Sequence, residues 1–136
     1  MSTTHYRRLA AVALLAVGAV HLEQYTVGHY SAVPTIGSLF LVNFVAATVF
    51  GLALLAPLGS ISPQLGQLID ATAALGGLGV AAGALVALLI SERTPLFGFM
   101  EHGYRFAIVI AIASETLAIV ALGTVLATLA VSRQRR

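Results

Sequence analysis

The 136-residue chain is 59% hydrophobic and 9% charged, with a mean hydropathy of +0.98, whereas about a quarter of the residues in a soluble domain are charged. Its net charge of +2 comes from seven arginines and no lysine, set against five acidic residues. The absence of cysteine excludes disulfides, iron–sulfur clusters, thiolate metal sites and cysteine nucleophiles. Charge-free apolar runs of roughly 18 or more residues mark spanning helices, and the chain has several. It is expected to be a single all-α integral membrane domain over residues 1–136, a four-transmembrane-helix bundle.

The first span is expected at about 6–25. It opens on Arg7 and Arg8, and its length carries the helix past His21 to Glu23 at its mouth. An arginine pair before an apolar run also fits a secretory signal peptide; we expect the segment to be retained as a span. Residues 26–36 carry Gly28 and Pro34 as breakers and read as an interfacial loop or short surface helix, with Tyr25 and Tyr30 at headgroup depth. The second span, about 36–56, contains Phe40, Asn43, Phe44 and Phe50 and stops at Pro57. A turn of Pro57, Gly59, Ser60, Ser62 and Pro63 leads to the third span, about 64–91. There Ala73, Gly76, Gly77, Gly79 and Gly83 form a small-residue seam, and the Gly79–Gly83 spacing predicts a central helix packed closely on its neighbours. Asp70, near the start of this span, is expected to meet the helix N-terminal dipole.

A second polar loop, 92–105, holds Glu101, His102, Tyr104 and Arg105. The fourth span, about 106–131, is interrupted by Glu115. Four spans return the C-terminus to the side of the N-terminus, and arginines at both ends (Arg7, Arg8, Arg133, Arg135, Arg136) place both termini in the cytoplasm by the positive-inside rule. The expected location is the plasma membrane, with membrane lipids as surroundings and a homo-oligomer or larger membrane complex as partner. The basic tail suits anionic lipid and gives no reason to expect nucleic acid. The two outer loops echo each other, Gly28-His29-Tyr30 against His102-Gly103-Tyr104, a pattern that two helical hairpins related by duplication would give.

Glu115 lies ten residues beyond Arg105, or about 15 Å along a helix. A carboxylate at that depth is protonated, hydrogen-bonded inside the bundle, or a working proton or ion site. His21 and Asn43 reach similar depths from the first two spans. The three predict a polar ligand-binding pocket in the outer half, with Tyr25 and Tyr104 at its mouth and Tyr104 or Glu101 above. Imidazole and carboxylate also suit a transition metal, and His21, Glu23, His29, Glu101 and His102 all face outward, without the tight spacing of a metal motif. Haem is a variant, with His21 and His102 as axial ligands. A quinone or lipid-like ligand among Tyr25, Tyr30, Phe40, Phe97 and Phe99 is another. The third span lacks a P-loop lysine and a dinucleotide fingerprint, so its glycines are packing residues.

The run of His21-Leu22, Tyr25, Tyr30, Pro34-Thr35-Ile36-Gly37, Leu39-Phe40-Leu41 and Asn43, followed by a hairpin bearing Glu115, resembles small four-span proteins common in actinobacteria. More distantly, in size and topology, it is similar to the DoxX-like membrane family. That second resemblance implies an accessory membrane subunit near quinone-linked redox chemistry, and it carries no catalytic residue to this chain. The function expected from the residues is a non-enzymatic membrane subunit or small-ligand-binding module. Its alternatives are a redox component holding metal, haem or quinone, and an oligomeric proton or ion carrier working through Glu115.

Overall fold

The computed structural model describes residues 3–57 and 60–134; Gly59, Arg135 and Arg136 lie outside them. Four helices follow in order: α1 (Thr3–Thr26), α2 (Ile36–Leu55), α3 (Pro63–Ser91) and α4 (Phe106–Gln134), with a 3-10 turn at Tyr30–Ala32 between α1 and α2. All four are long and apolar enough to cross a membrane, and the chain is a multi-pass four-helix transmembrane bundle. Each expected span falls within its helix except at Ala56, which turns extended ahead of Pro57, as a residue before proline tends to do. Ser62 caps α3 by accepting a hydrogen bond from Leu65 N at 3.3 Å, and Pro63 occupies the first turn, where its missing N–H costs nothing.

The helices form a closed square in chain order, with α1 against α2 and α4, and α3 against α4 and α2. Neighbours run antiparallel: Gly18 of α1 faces Phe44 and Thr48 of α2, and Gly51 of α2 faces Leu15 and Ala11 of α1. On the diagonal α1 and α3 run parallel, tied by an ion pair between Arg7 Nη1 and Asp70 Oδ2 at 3.2 Å. The core is rich in alanine, with Ala11, Ala74, Ala81 and Ala118 interleaved with Leu14, Leu54 and Leu122. Small side chains let the helices approach closely enough for dispersion contacts to hold them in lipid.

Two expectations are corrected here. No helix of the square is central, and the most buried is α1 rather than α3: α1 has the largest share of buried residues and is the least apolar of the four. The glycine seam of α3 is split between two faces. Gly76 lies under the ring of Phe50 and Gly77 under Leu14, whereas a Cβ on Gly79 or Gly83 would meet nothing within 4 Å. Asp70, for its part, is the eighth residue of α3, beyond the first turn in which a helix dipole acts, and its partner is Arg7.

Candidate functional site

The start of α1, the end of α2, the start of α3 and the end of α4 share one end of the bundle; the α1–α2 and α3–α4 connections close the other. At this second end all four helices line a cavity of about 110 Å³. Its walls are mostly apolar, including Leu39, Phe40, Ala84, Ala87, Leu88 and Ile108, and its polar inner groups are His21, Gln24, Asn43, Ser91 and Glu115. Thus His21, Asn43 and Glu115, contributed by α1, α2 and α4, face one space.

Their hydrogen bonding is incomplete. His21 Nδ1 lies 2.9 Å from the Val17 carbonyl, which can only accept, so Nδ1 carries the proton and Nε2 is the atom turned toward Glu115. Nε2 lies 3.8 Å from Glu115 Oε1, too far for a direct hydrogen bond. Glu115 is 2% exposed, and its Oε2 has no partner. Gln24 Nε2 donates to Glu23 Oε2, which leaves Gln24 Oε1 buried and unpartnered, as is Asn43 Oδ1. Three oxygens on cavity-lining residues of three helices therefore have no hydrogen-bond partner. Burying such groups without partners costs about 1–3 kcal/mol each.

A lid of side chains covers the cavity. The 3-10 turn lays Tyr30 over the bundle, its ring stacked on Phe40 at 4.7 Å between centroids. Phe40 in turn leans on His21 at 5.1 Å, and Phe99 meets Tyr30 edge-on at 5.4 Å. The Tyr30 hydroxyl donates to Glu101 Oε2 and accepts from Arg105 Nη2 at 2.7 Å. Arg105 also reaches Glu101 Oε1 at 3.2 Å. Burial, followed by the hydrogen bond to Glu101 and its negative charge, pushes the Tyr30 phenol up to about 12, with Arg105 opposing.

The backbone is shaped to hold this lid. A Cβ on Gly37 would stand 2.5 Å from the Tyr30 carbonyl, so the turn can rest on the first turn of α2 only because residue 37 is glycine. His29 and Thr35, on either side of it, have φ of 62° and 65°; for a β-branched residue this is uncommon and costly. In the other connection, Leu96 and Phe99 pair through two backbone hydrogen bonds of 2.7 and 2.9 Å. They are joined by Phe97 and Gly98, both at positive φ, as a tight hairpin requires. Glu101 N then bonds the Ser91 carbonyl at 3.0 Å, which fixes Glu101 beneath Tyr30.

The remaining expectations fare differently. Tyr25 is half-buried and Tyr104 is 64% exposed; neither is among the cavity walls, and the mouth is closed by Tyr30, Glu101 and Arg105 instead. Of the five expected metal ligands only His21 and Glu101 line the cavity. Glu23, His29 and His102 are exposed, and no three His, Asp or Glu side chains converge among the described residues. His21 and His102 do not face a common space. A cavity of about 150 Å³ holds benzene, so this smaller one has no room for a haem macrocycle and less than a quinone ring with its substituents needs. Gln24 was missed, although its place three residues after His21 puts both on one helix face. The Glu101–Arg105 spacing of four predicts a charge pair, but nothing local links it to Tyr30, 71 positions from Glu101. No family model matches the chain, and no curated protein or solved structure matches it.

Proposed function

We propose that the chain is a non-enzymatic membrane module that holds a small ligand in the cavity under Tyr30, working as a subunit of a larger complex or as an oligomer. In this reading it sits in the plasma membrane with both termini cytoplasmic and the cavity toward the outside, which the arginines at the terminal end favour. The observation that carries the proposal is the convergence of polar side chains from three helices, His21, Gln24, Asn43 and Glu115, on one small and otherwise mostly apolar space. Pockets of this kind are apolar with a few convergent polar groups that orient the ligand. The open Gly79–Gly83 face of α3 supports self-association, since close approach over glycine is how spanning helices pair.

The test is a thermal-shift screen of the purified protein in mild detergent against small amines, alcohols, acids and amides. A ligand at about 100 times its Kd adds ~2.7 kcal/mol to stability, which is readily seen. Ala87→Phe, which fills the cavity from α3, is expected to abolish any response. If no compound stabilises the protein, or if Ala87→Phe responds as the wild type does, the pocket is not a binding site.

A second reading has one observation in its favour. The His21–Glu115 pair, with Nδ1 committed to Val17 and Nε2 turned to the carboxyl, has the arrangement a proton or ion carrier would use. Loss of proton uptake in Glu115→Gln vesicles, with thermal stability retained, would favour it over passive binding.

A further inference from the structure

The seam between α2 and α3 is closed at one level and open at another, and the open level is that of the cavity. Gly76 of α3 faces α2, since a Cβ there would run into the Phe50 ring. Gly83 and Ala87 stand seven and eleven residues further along α3, and Asn43 and Leu39 stand the same numbers of residues before Phe50 on α2. Those spacings keep each set on one helix face. Because the two helices run antiparallel, the sets meet roughly 10–16 Å from the Phe50 contact, toward the cavity end. There the packing is thin. A Cβ on Gly83 would meet nothing within 4 Å among the described residues. Leu39 is 45% exposed, and Asn43 and Ala87 are half-buried, yet all three line the cavity. On the α3 side of the seam, a glycine and an alanine are what stand between the cavity and the lipid.

The approach from water at the loop end is built differently. Tyr30, Phe99 and Glu101 close it, and the polar groups there are committed to one another. The Tyr30 hydroxyl donates to Glu101 and accepts from Arg105, and Glu101 N holds the Ser91 carbonyl. Entry from that side has to break hydrogen bonds to charged partners, which are the strong ones. Entry from the lipid has only to part Leu39 from Ala87. A route through lipid also selects its cargo, because a charged molecule is costly to place in hydrocarbon and an uncharged one is not. We propose that the cavity is loaded sideways from the membrane through the α2–α3 seam, at Leu39, Asn43, Gly83 and Ala87, and that its ligand is a small uncharged molecule dissolved in the lipid. The mostly apolar walls suit such a molecule, and Asn43 at the opening supplies an amide able to hydrogen-bond one polar group on it. This inference rests on the binding-module reading above and adds the route and the charge class.

The chain has no cysteine, so a single introduced thiol reports access. Ala111, which lines the cavity from α4, is replaced in Ala111→Cys, and the full chain is placed in lipid nanodiscs, where both faces meet the reagent. Ser91→Cys, on the α3 wall, repeats the measurement should Ala111→Cys fail to fold. The probes are iodoacetamide and iodoacetate, matched in size and different in charge. Each rate is divided by that of the exposed control Thr94→Cys, which removes their difference in intrinsic reactivity. The cavity thiol is expected to react at least about tenfold faster with the neutral reagent, as exclusion of charge from hydrocarbon requires. Adding Gly83→Leu, which fills open space at the seam, should slow iodoacetamide several-fold and leave the fold intact. Adding Tyr30→Phe, which unties the cap, should hardly change it. If both reagents react equally, or Gly83→Leu leaves the rate unchanged, or Tyr30→Phe raises it several-fold, the sideways route falls and the binding-module reading stands. If neither reagent reaches the thiol the route falls as well, and with a silent ligand screen the binding-module reading falls with it.

Discussion

The Tyr30 hydroxyl bridges two charged groups drawn from a loop more than seventy positions away in sequence, donating to Glu101 and accepting from Arg105. Removing it in Tyr30→Phe leaves the stacking on Phe40 intact and takes away hydrogen bonds to charged partners, so the expected loss is roughly 1–3 kcal/mol. The phenol's pKa is raised by burial first and by Glu101 second. Because the folded value lies above the unfolded one near 10, the stability it contributes is complete below about pH 10. It is lost as pH rises through about 12. Melting curves of wild type and Tyr30→Phe should therefore differ most below pH 10 and converge above it, and the absorbance step near pH 12 should vanish in the variant. A gap that stays constant across this window would show that the hydroxyl is not held as described. At this scale the sequence was informative about depth and silent about direction. His21, Asn43 and Glu115 were placed together because counting residues along a spanning helix gives position along the membrane normal. Tyr25 and Tyr104 were misplaced because nothing in their neighbours reports rotation or loop path.

At the scale of the elements, the helices were legible and their packing was not. Pro34, Pro57 and Pro63 mark ends because proline cannot continue a helix without losing a hydrogen bond, and the apolar runs between them leave one interpretation. Which face of each helix meets which neighbour is written in contrasts of polarity, and in lipid those contrasts almost disappear. The small residues of α3 show where close approach is permitted, without naming a partner: a Cβ on Gly76 or Gly77 would meet Phe50 or Leu14, and one on Gly79 or Gly83 would meet nothing within 4 Å among the described residues. Two substitutions separate these cases. Gly37→Ala would press a methyl group into the Tyr30 carbonyl and the Ser31 backbone, neither of which can yield as a flexible side chain would. It should cost about 1–3 kcal/mol and free the lid, seen as a lower Tm and faster amide exchange at 30–33. Gly79→Ala and Gly83→Ala enter open space and should raise stability by up to about 1 kcal/mol each through helix propensity. Should they instead lower it and break an oligomer measured in detergent, the open face is an interface between copies.

For the whole molecule, the two ends carry different kinds of polarity. The cavity end leaves oxygens unpartnered inside, whereas the terminal end joins α1 and α3 across the diagonal through Arg7 and Asp70, the pairing that an assignment to the helix dipole overlooked because the two residues are 63 positions apart. Both side chains are largely but not fully buried, so the pair should contribute more than the ~1 kcal/mol ceiling of exposed pairs. Loss of one partner should cost less than the 3–5 kcal/mol of a fully buried pair. Asp70→Asn is expected to destabilise the bundle by roughly 1–3 kcal/mol within those limits. It leaves the largely buried Arg7 guanidinium without its counter-charge. Arg7→Gln should cost about the same, and the double variant little more than either alone, because each single change already removes the contact. Thermal melts of the four proteins at low and moderate salt would measure the coupling, which screening should reduce only slightly for a partly buried pair. Additive losses in the double variant would show that the two residues stabilise the bundle independently, and the diagonal tie between α1 and α3 would then have to be sought in the packing of Leu14 against Gly77.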